Sequence, residues 1–185
     1  MKKKPTTAVI LATGFEEIEA VTIIDVLRRA DIPVLTAALS GGRMTRGAHG
    51  VNVETDCSLS EIDPRELALL VLPGGMPGSR RLAESQRVID CLRTVHASGC
   101  LVAAMCAAPL ALQAAGLLDG KKMTCYPALK DQFPASDYTG EDVVQDGAVI
   151  TGSGPGTALR FSLRLVEALG LPETAENLRL GMLAL

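Results

Sequence analysis

Short apolar runs alternate with helical repeats along most of the chain. Residues 7–12 form a β-branched and aliphatic run that ends at Thr13-Gly14, which predicts a first strand. Between residues 16 and 30 the apolar positions recur every three or four residues, which predicts an amphipathic helix. Residues 33–39 predict a second strand, and residues 49–55 alternate like a half-exposed strand or hairpin arm.

The second half of the chain continues this alternation. The run Leu69-Leu70-Val71-Leu72 stops at Pro73-Gly74-Gly75 and is typical of a strand buried on both faces of a parallel sheet. A helix containing Val88, Ile89, Leu92 and Val95 is predicted next, and a strand from Leu101 leads to Cys106. The remaining predicted elements are a helix at 110–115, short strands at 123–125, 143–144 and 148–151, a helix at 158–169 and a last helix from Pro172.

This order of elements predicts a doubly wound α/β sandwich, with a mostly parallel sheet and helices on both faces. No linker, repeat or low-complexity stretch divides the chain, so we expect one domain over residues 1–185. Ligands bind such sheets outside the carboxyl ends of the strands. Three segments that follow predicted strands, residues 13–19, 73–78 and 106–109, are therefore expected to meet in one crevice.

Composition excludes several classes of partner. The 185 residues contain 18 Lys and Arg against 21 Asp and Glu, a net charge of −3, which argues against nucleic-acid binding. No apolar run is long enough to span a bilayer, so no membrane partner is expected. Hydrophobic residues make up 48% of the chain and aromatic residues 3%, which favours an aliphatic core.

The cysteines indicate reduced thiols. Their odd number and the lack of paired CxxC spacing fit the cytoplasm better than a disulfide framework. The chain has two histidines, and neither forms a ligand-spaced pair with a cysteine, so no metal site is expected. The cysteines are Cys57, Cys91, Cys100, Cys106 and Cys125, and the histidines are His49 and His96.

Cys106 has the setting of a nucleophile elbow, between a predicted strand and a predicted helix. Such a turn needs small residues two positions away on each side, and Ala104 and Ala108 meet this need. The helix dipole and the free N–H groups after the turn are expected to lower the thiol pKa. The alternative is a buried, inert core cysteine, the commoner role of a free Cys.

Carboxyl and amide groups are predicted beside this thiol. Glu16, Glu17 and Glu19 follow the first strand, and a protonated carboxyl there could hydrogen-bond a thiolate and move a proton. The spacing of the three glutamates does not show which of them lies beside the thiol. Glu16 and Glu17 are explained equally well as acidic residues that interact favourably with the dipole at the helix N-terminus. The N–H groups of Pro73-Gly74-Gly75, with that of Ala107, are candidates for an oxyanion hole, although glycine pairs usually form ordinary turns.

The Gly-rich loop at residues 152–157 does not indicate a nucleotide cofactor. It follows the wrong strand for a dinucleotide site and contains Pro155. We therefore expect no cofactor, although its N–H groups could contact an anion or a substrate.

Taken together, the motifs resemble those of the ThiJ/PfpI superfamily. Within it, the chain is most similar to the branch of the Parkinson-disease-associated protein deglycase and its bacterial relatives. The resemblance runs from the first strand through the helix after Gly156. The matching motifs are Gly14-x-Glu16-Glu17-x-Glu19, Leu72-Pro73-Gly74-Gly75, Ala104-x-Cys106-Ala107-Ala108-Pro109, Tyr126-Pro127 and Gly154-Pro155-Gly156-Thr157-Ala158.

The resemblance implies a flavodoxin-like sandwich that forms a homodimer. It also implies that Cys106 is the reactive cysteine, that Glu19 is its hydrogen-bonded acid, and that Gly75 and Ala107 supply oxyanion-type amides. Members of the family are described as stress-protective proteins, as glyoxalases acting on methylglyoxal, as deglycases of early glycation adducts, or as chaperones, with a cysteine that oxidises readily to a sulfinate.

Two positions depart from the family pattern. Tyr126 stands where many relatives carry a histidine, and His49 where close relatives carry an arginine near the dimer interface. We expect Tyr126, His49 and Gly156 in the surroundings of the site. A tyrosine of normal pKa is a poor general base near neutral pH, which argues against Cys–His chemistry of the peptidase or amidotransferase kind.

The sequence therefore leads to a ranked set of functions. The leading hypothesis is a cytoplasmic, cofactor-free enzyme that acts on a small reactive carbonyl compound, with Cys106 as nucleophile and Glu19 as proton carrier. The second is a redox sensor or chaperone that works through oxidation of Cys106. The third is a hydrolase related to the class I glutamine amidotransferases.

Overall fold

The computed structural model describes residues 6–184, and a seven-stranded sheet forms its centre. The strands are β1 (Thr6–Leu11), β2 (Val34–Ala38), β3 (Met44–Arg46), β4 (Asn52–Glu54), β5 (Cys57–Ser58), β6 (Leu67–Leu72), β7 (Leu101–Met105), β8 (Lys122–Met123), β9 (Asp137–Tyr138), β10 (Val143–Asp146) and β11 (Val149–Gly152). The helices are α1 (Glu17–Arg29), α2 (Gly78–Glu84), α3 (Gln86–Ala97), α4 (Pro109–Ala114), α5 (Ala158–Ala168) and α6 (Pro172–Gly181).

The main sheet has the strand order β10-β11-β7-β6-β1-β2-β5. All its neighbouring strands are parallel except β10 and β11, which are antiparallel. β3 pairs with β4 in a separate antiparallel hairpin, and β8 pairs with β9. This is the mostly parallel, flavodoxin-like arrangement that the sequence predicts.

Helices cover both faces of the sheet because alternate residues of each central strand point to opposite sides. In β1, Ala8 and Ile10 belong to a core that also contains apolar residues of α2, α3 and α4. Val9 and Leu11 belong to a second core, with residues of α1, α5 and α6. The prediction of helices on both faces is confirmed.

Strand β6 explains why its sequence is a continuous apolar run. It lies between β1 and β7, and the side chains of Leu69, Leu70, Val71 and Leu72 are fully buried. Its last residue, Leu72, pairs with Ala104, so the chain leaves β6 beside the turn that follows β7. This register places the glycines at 74 and 75 next to Cys106.

Two local predictions were incomplete. The short strand expected at residues 123–125 ends at Met123, because the Thr124 N–H donates to the Thr151 hydroxyl (2.9 Å) instead of to a neighbouring strand. The predicted helix that contains Val88 and Val95 is confirmed as α3, but a separate helix, α2, precedes it and was not predicted. The two helices separate at Ser85, whose hydroxyl accepts the Val88 N–H and caps α3.

No helix within residues 6–184 combines the length and apolar character needed to cross a membrane.

Candidate active site

Cys106 occupies a strained turn between β7 and α4. Its φ angle is +59°, a left-handed conformation that non-glycine residues rarely adopt. The backbone holds it on both sides, since its N–H donates to the Gly152 carbonyl (2.8 Å) and its carbonyl accepts the Tyr126 N–H (2.9 Å). The residue is 9% exposed. This is the strand–turn–helix geometry of a nucleophile elbow, with the sulfur at the carboxyl end of the sheet.

The structure selects Glu19 from the three glutamates. Its side chain lies in the first turn of α1 and is fully buried. Carboxyl atom Oε2 accepts the Gly74 N–H at 2.6 Å, and Oε1 has no hydrogen-bond partner in the described structure. The carboxyl and the Cys106 thiol each shift the pKa of the other, so the two groups form an interacting pair.

Gly74 and Gly75 make this close approach possible. A Cβ atom on Gly74 would lie 2.5 Å from the Cys106 Cβ and 2.7 Å from Glu19 Oε2. Gly75 has a φ angle of +94°, and a Cβ there would collide with the backbone N of Glu16. Only glycine fits at either position, because the ends of β6, β7 and β1 meet there.

Backbone amides surround the sulfur. The N–H groups of Gly75 and Ala107 act on Cys106 as hydrogen-bond donors that lower its pKa. Gly74 differs from the sequence prediction, which grouped it with the oxyanion donors. Its N–H is already taken by Glu19, so it holds the acid instead of facing a reacting oxygen.

Burial controls the protonation of Glu19. Removal from water raises its pKa from 4.5 to about 7, and the charge of Glu16 adds to the rise. The hydrogen bonds from Gly74 and from Cys106 oppose it. Glu19 therefore exchanges its proton near neutral pH.

The thiol pKa differs from the expectation. Burial and then the charge of Glu19 raise the pKa of Cys106 to about 12, against the lowering effect of the Gly75 and Ala107 N–H groups. The predicted lowering of the thiol pKa is wrong, because desolvation and the neighbouring Glu19 carboxyl outweigh the two N–H donors. Cys106 and Glu19 titrate as a pair, and once the first proton leaves, the second is shared between sulfur and carboxyl.

The three residues expected around the site have different positions. Tyr126 is attached to the elbow through its backbone, while its side chain is 48% exposed and its ring lies beside Gly154. Gly156 lines a groove between α1 and α5 and has open space around its Cα. His49 bonds to Glu17 instead of to the thiol, with Nδ1 2.9 Å from Glu17 Oε2.

Gly152 is a site residue that sequence reasoning missed. Its carbonyl holds the Cys106 N–H, and a Cβ on it would lie 2.8 Å from the Phe161 ring and 3.0 Å from the Met105 Cβ. The available signal was a glycine at the end of a predicted strand, where such residues often permit close backbone approach.

The fold and this site define a class of proteins, flavodoxin-like α/β sandwiches with a cysteine on a strained turn beside a buried acid. The profile of the DJ-1/PfpI family matches residues 6–168. The chain belongs to the DJ-1/PfpI family, which confirms the resemblance drawn from its motifs.

Individual relatives agree over nearly the whole chain. Protein dj-1beta of Drosophila melanogaster is 42% identical over 178 residues, which cover 95% of each protein. The crystal structure of Drosophila melanogaster DJ-1beta superposes with a TM-score of 0.95 at 39% identity and covers 99% of this chain and 100% of that one. The glutathione-independent glyoxalase DJR-1.2 of Caenorhabditis elegans is 36% identical over 165 residues, 88% of this chain and 87% of the relative.

Proposed function

We propose that this protein converts small α-oxoaldehydes such as methylglyoxal into hydroxy acids, without a cofactor. One arrangement carries the proposal: a thiol on a strained turn, in contact with a buried acid and with two backbone amides. A relative named as a glutathione-independent glyoxalase supports the same reaction class. Repair of early glycation adducts would use the same carbonyl chemistry at the sulfur.

The reaction begins when the Cys106 sulfur attacks the aldehyde carbon and forms a hemithioacetal. The carbon-bound proton of that carbon then moves to the neighbouring carbonyl carbon through an enediol, which leaves a thioester. Water hydrolyses the thioester, releases the hydroxy acid and restores the thiol. One carbon is oxidised and its neighbour is reduced, so the net change is the addition of water and no outside oxidant is needed.

Glu19 is the group placed to move these protons. Its pKa of about 7 lets it release and accept a proton near neutral pH, where general acid–base catalysis is most effective. Its carboxyl is buried and interacts directly with the Cys106 thiol, so it lies beside any substrate that is bound to the sulfur.

The Gly75 and Ala107 amides act at two stages. They stabilise negative charge on the sulfur before attack. When the carbon–sulfur bond forms, the charge moves to the adjacent oxygen, and we expect the same donors to stabilise it.

Lactate formation from methylglyoxal tests the proposal. We expect Cys106→Ser and Glu19→Gln each to lower kcat/KM at least about 100-fold, because each removes a group that takes part in bond making or proton transfer. Cys100→Ser is the matched control, since Cys100 is another free thiol and lies before β7. Equal activity in wild type and Cys106→Ser would overturn the proposal.

The same samples distinguish the second candidate function, redox sensing. If lactate is absent and mild peroxide adds two oxygens selectively to Cys106, less so in Glu19→Gln, the cysteine is a sensor instead. Hydrolase chemistry of the Cys–His type has less support, because His49 bonds to Glu17 and His96 lies on α3.

We also propose a cytoplasmic location. All five cysteines are free in the structure, which fits a reducing compartment. Cell fractionation tests this, and recovery of the protein with secreted material would contradict it.

A further inference from the structure

Two large apolar side chains are exposed on the loops that hold Cys106. Met76 is 44% exposed and Tyr126 is 48% exposed. Neither side chain belongs to the two apolar cores of the fold. Met76 lies between β6 and α2 and Tyr126 follows β8, so both are outside α1 and the β3–β4 hairpin. The reaction proposed above uses neither side chain.

The backbone fixes where Met76 begins. The preceding residue is Gly75, whose N–H is a hydrogen-bond donor to Cys106. The Gly75 carbonyl accepts the Ser79 N–H (2.9 Å), and a Cβ on this glycine would lie 2.3 Å from the backbone N of Glu16. The chain is therefore tightly held up to Met76, whose exposed thioether starts one residue away from an amide that contacts the sulfur.

Tyr126 is placed on a different loop by independent contacts. Its backbone N–H donates to the Cys106 carbonyl (2.9 Å). Its ring lies against Gly154, where a Cβ would be 3.5 Å from ring atom Cδ2. Gly154 comes two residues after Gly152, whose carbonyl accepts the Cys106 N–H. The segment that holds the elbow thus also supports the ring, and the rest of the ring is open to solvent.

The reaction leaves one part of the substrate without a partner. In the hemithioacetal the Gly75 and Ala107 amides act on the oxygen, and Glu19 acts on the carbon-bound proton. The substituent of the neighbouring carbonyl carbon has no assigned contact. Because the Glu19 side chain is fully buried behind the sulfur, this substituent has to extend toward the exposed side of the site.

The chemistry of that exposed side favours an aromatic substituent. Covering an exposed ring and an exposed thioether with an apolar group removes apolar surface from water. A second aromatic ring gains further, because it packs well against the ring of Tyr126 and against the sulfur of Met76. A methyl group is too small to contact both side chains.

We propose that Met76 and Tyr126 bind the substituent of the α-oxoaldehyde and make the protein selective for aromatic α-oxoaldehydes of the phenylglyoxal class over methylglyoxal. This inference rests on the proposed function. The reaction steps are unchanged: the aldehyde carbon is oxidised, its neighbour is reduced, and phenylglyoxal plus water gives mandelate.

The selectivity is measured as the ratio of kcat/KM for phenylglyoxal to kcat/KM for methylglyoxal, from mandelate and lactate formation. We expect a ratio of at least about ten in the wild type. Met76→Gln and Tyr126→Ala should each lower it at least about threefold, because each removes an apolar contact. The intrinsic reactivities of the two aldehydes cancel when the ratio of a variant is compared with that of the wild type.

Two controls separate the side chains from their surroundings. Tyr126→Phe retains the ring and should keep the wild-type ratio, as should Met44→Gln, a matched change at a methionine on β3 that is 63% exposed. All the Tyr126 variants retain the backbone N–H that bonds to the elbow. Thermal unfolding checks that each variant is folded.

The outcomes distinguish this inference from the proposed function. If the wild type turns over neither aldehyde, the proposed function is overturned and this inference with it. If both aldehydes are turned over in a Cys106-dependent manner, a wild-type ratio of one or less overturns the inference alone. A ratio that is the same in wild type, Met76→Gln and Tyr126→Ala does so too.

Discussion

Glu19 is buried at a cost to the stability of the fold. Its carboxyl has no exposed surface, one of its two oxygens has no partner, and burial raises its pKa to about 7. A buried carboxylate with incomplete hydrogen bonding is destabilising. Such a residue beside a thiol on a strained turn is typical of a functional position, where the chemistry requires a group that stability alone would not favour.

We expect the stability gain of Glu19→Gln over wild type to grow with pH. In the unfolded chain the carboxyl ionises near 4.5 and in the folded chain near 7, so wild-type stability falls as the pH rises through this interval and stays lower above it. This rise in the pKa corresponds to a loss of roughly 3 kcal/mol in the free energy of unfolding of the wild type. Urea unfolding at pH 4 and pH 8 measures the change.

The exposed residue Glu141 provides the control for this measurement. Glu141→Gln should show no such pH-dependent gain, because its carboxyl stays in water. A Glu19→Gln difference that is the same at pH 4 and pH 8 would mean that burial does not raise the pKa of Glu19.

At the scale of the secondary-structure elements, the geometry of the site depends on how closely the chain after β6 approaches the turn after β7. Gly74 lies between the Cys106 Cβ and the Glu19 carboxyl with no room for a methyl group. The predicted strand at residues 69–72 is confirmed within β6, and its register with β7 produces this approach.

Gly74→Ala should therefore damage the site and the fold together. We expect a loss of roughly 1–3 kcal/mol in unfolding free energy, because the added methyl forces the ends of two strands apart. Methylglyoxal turnover should fall at least about tenfold as the acid and the thiol separate.

Gly156→Ala is the matched control for this change. Gly156 has open space at the position of the new methyl group, so its stability should change by less than about 0.5 kcal/mol. If Gly74→Ala and Gly156→Ala had equal stability and equal turnover, Gly74 would have room for a methyl group and the close packing against Cys106 and Glu19 would be disproved.

Helices were predicted correctly where the apolar periodicity of the sequence was strong. They were missed where tertiary contacts determine whether a helix forms. The helix predicted for residues 16–30 is observed as α1, but it buries Ala20, Ile23, Val26 and Leu27, and Ile18 and Val21 of its apolar repeat are exposed. The separate helix α2 was missed because Gly78-Ser79-Arg80-Arg81 lacks an apolar repeat of its own. Its residues Gly78 and Ser79 are buried by neighbouring segments of the fold, and no apolar side chain of their own indicates this in the sequence.

At the scale of the whole molecule, α1 exposes apolar side chains beside the hairpin. Ile18 and Val21 are three residues apart on one helix face and are 59% and 51% exposed, and Val51 is 52% exposed. Contiguous exposed apolar residues mark interaction surfaces. We propose that this face is the contact between two copies of the chain, in line with the expected homodimer.

Val21→Asp should shift the protein from dimer to monomer in size-exclusion chromatography with light scattering. A charge in the centre of an apolar interface would have to lose its hydration without a partner. Ala97→Asp, at an exposed position on α3 across the sheet, should leave the mass unchanged. A wild-type protein that runs as a monomer would contradict the proposal.

By itself the sequence determined the fold class and the position of the turn that carries Cys106. The evidence for both is local in the chain: the apolar periodicity, the glycines that end strands and the small residues around Cys106. Such local features are enough to predict a parallel sheet and a turn at its carboxyl edge. The motifs also identified the family.

Tertiary structure decided the chemistry of the site. It alone showed that Gly74 holds the Glu19 carboxyl, that Glu17 turns to His49, and that burial raises the thiol pKa instead of lowering it. The physical reason is that proton affinity depends on desolvation and on charges brought together from distant segments. No spacing along one chain specifies those quantities.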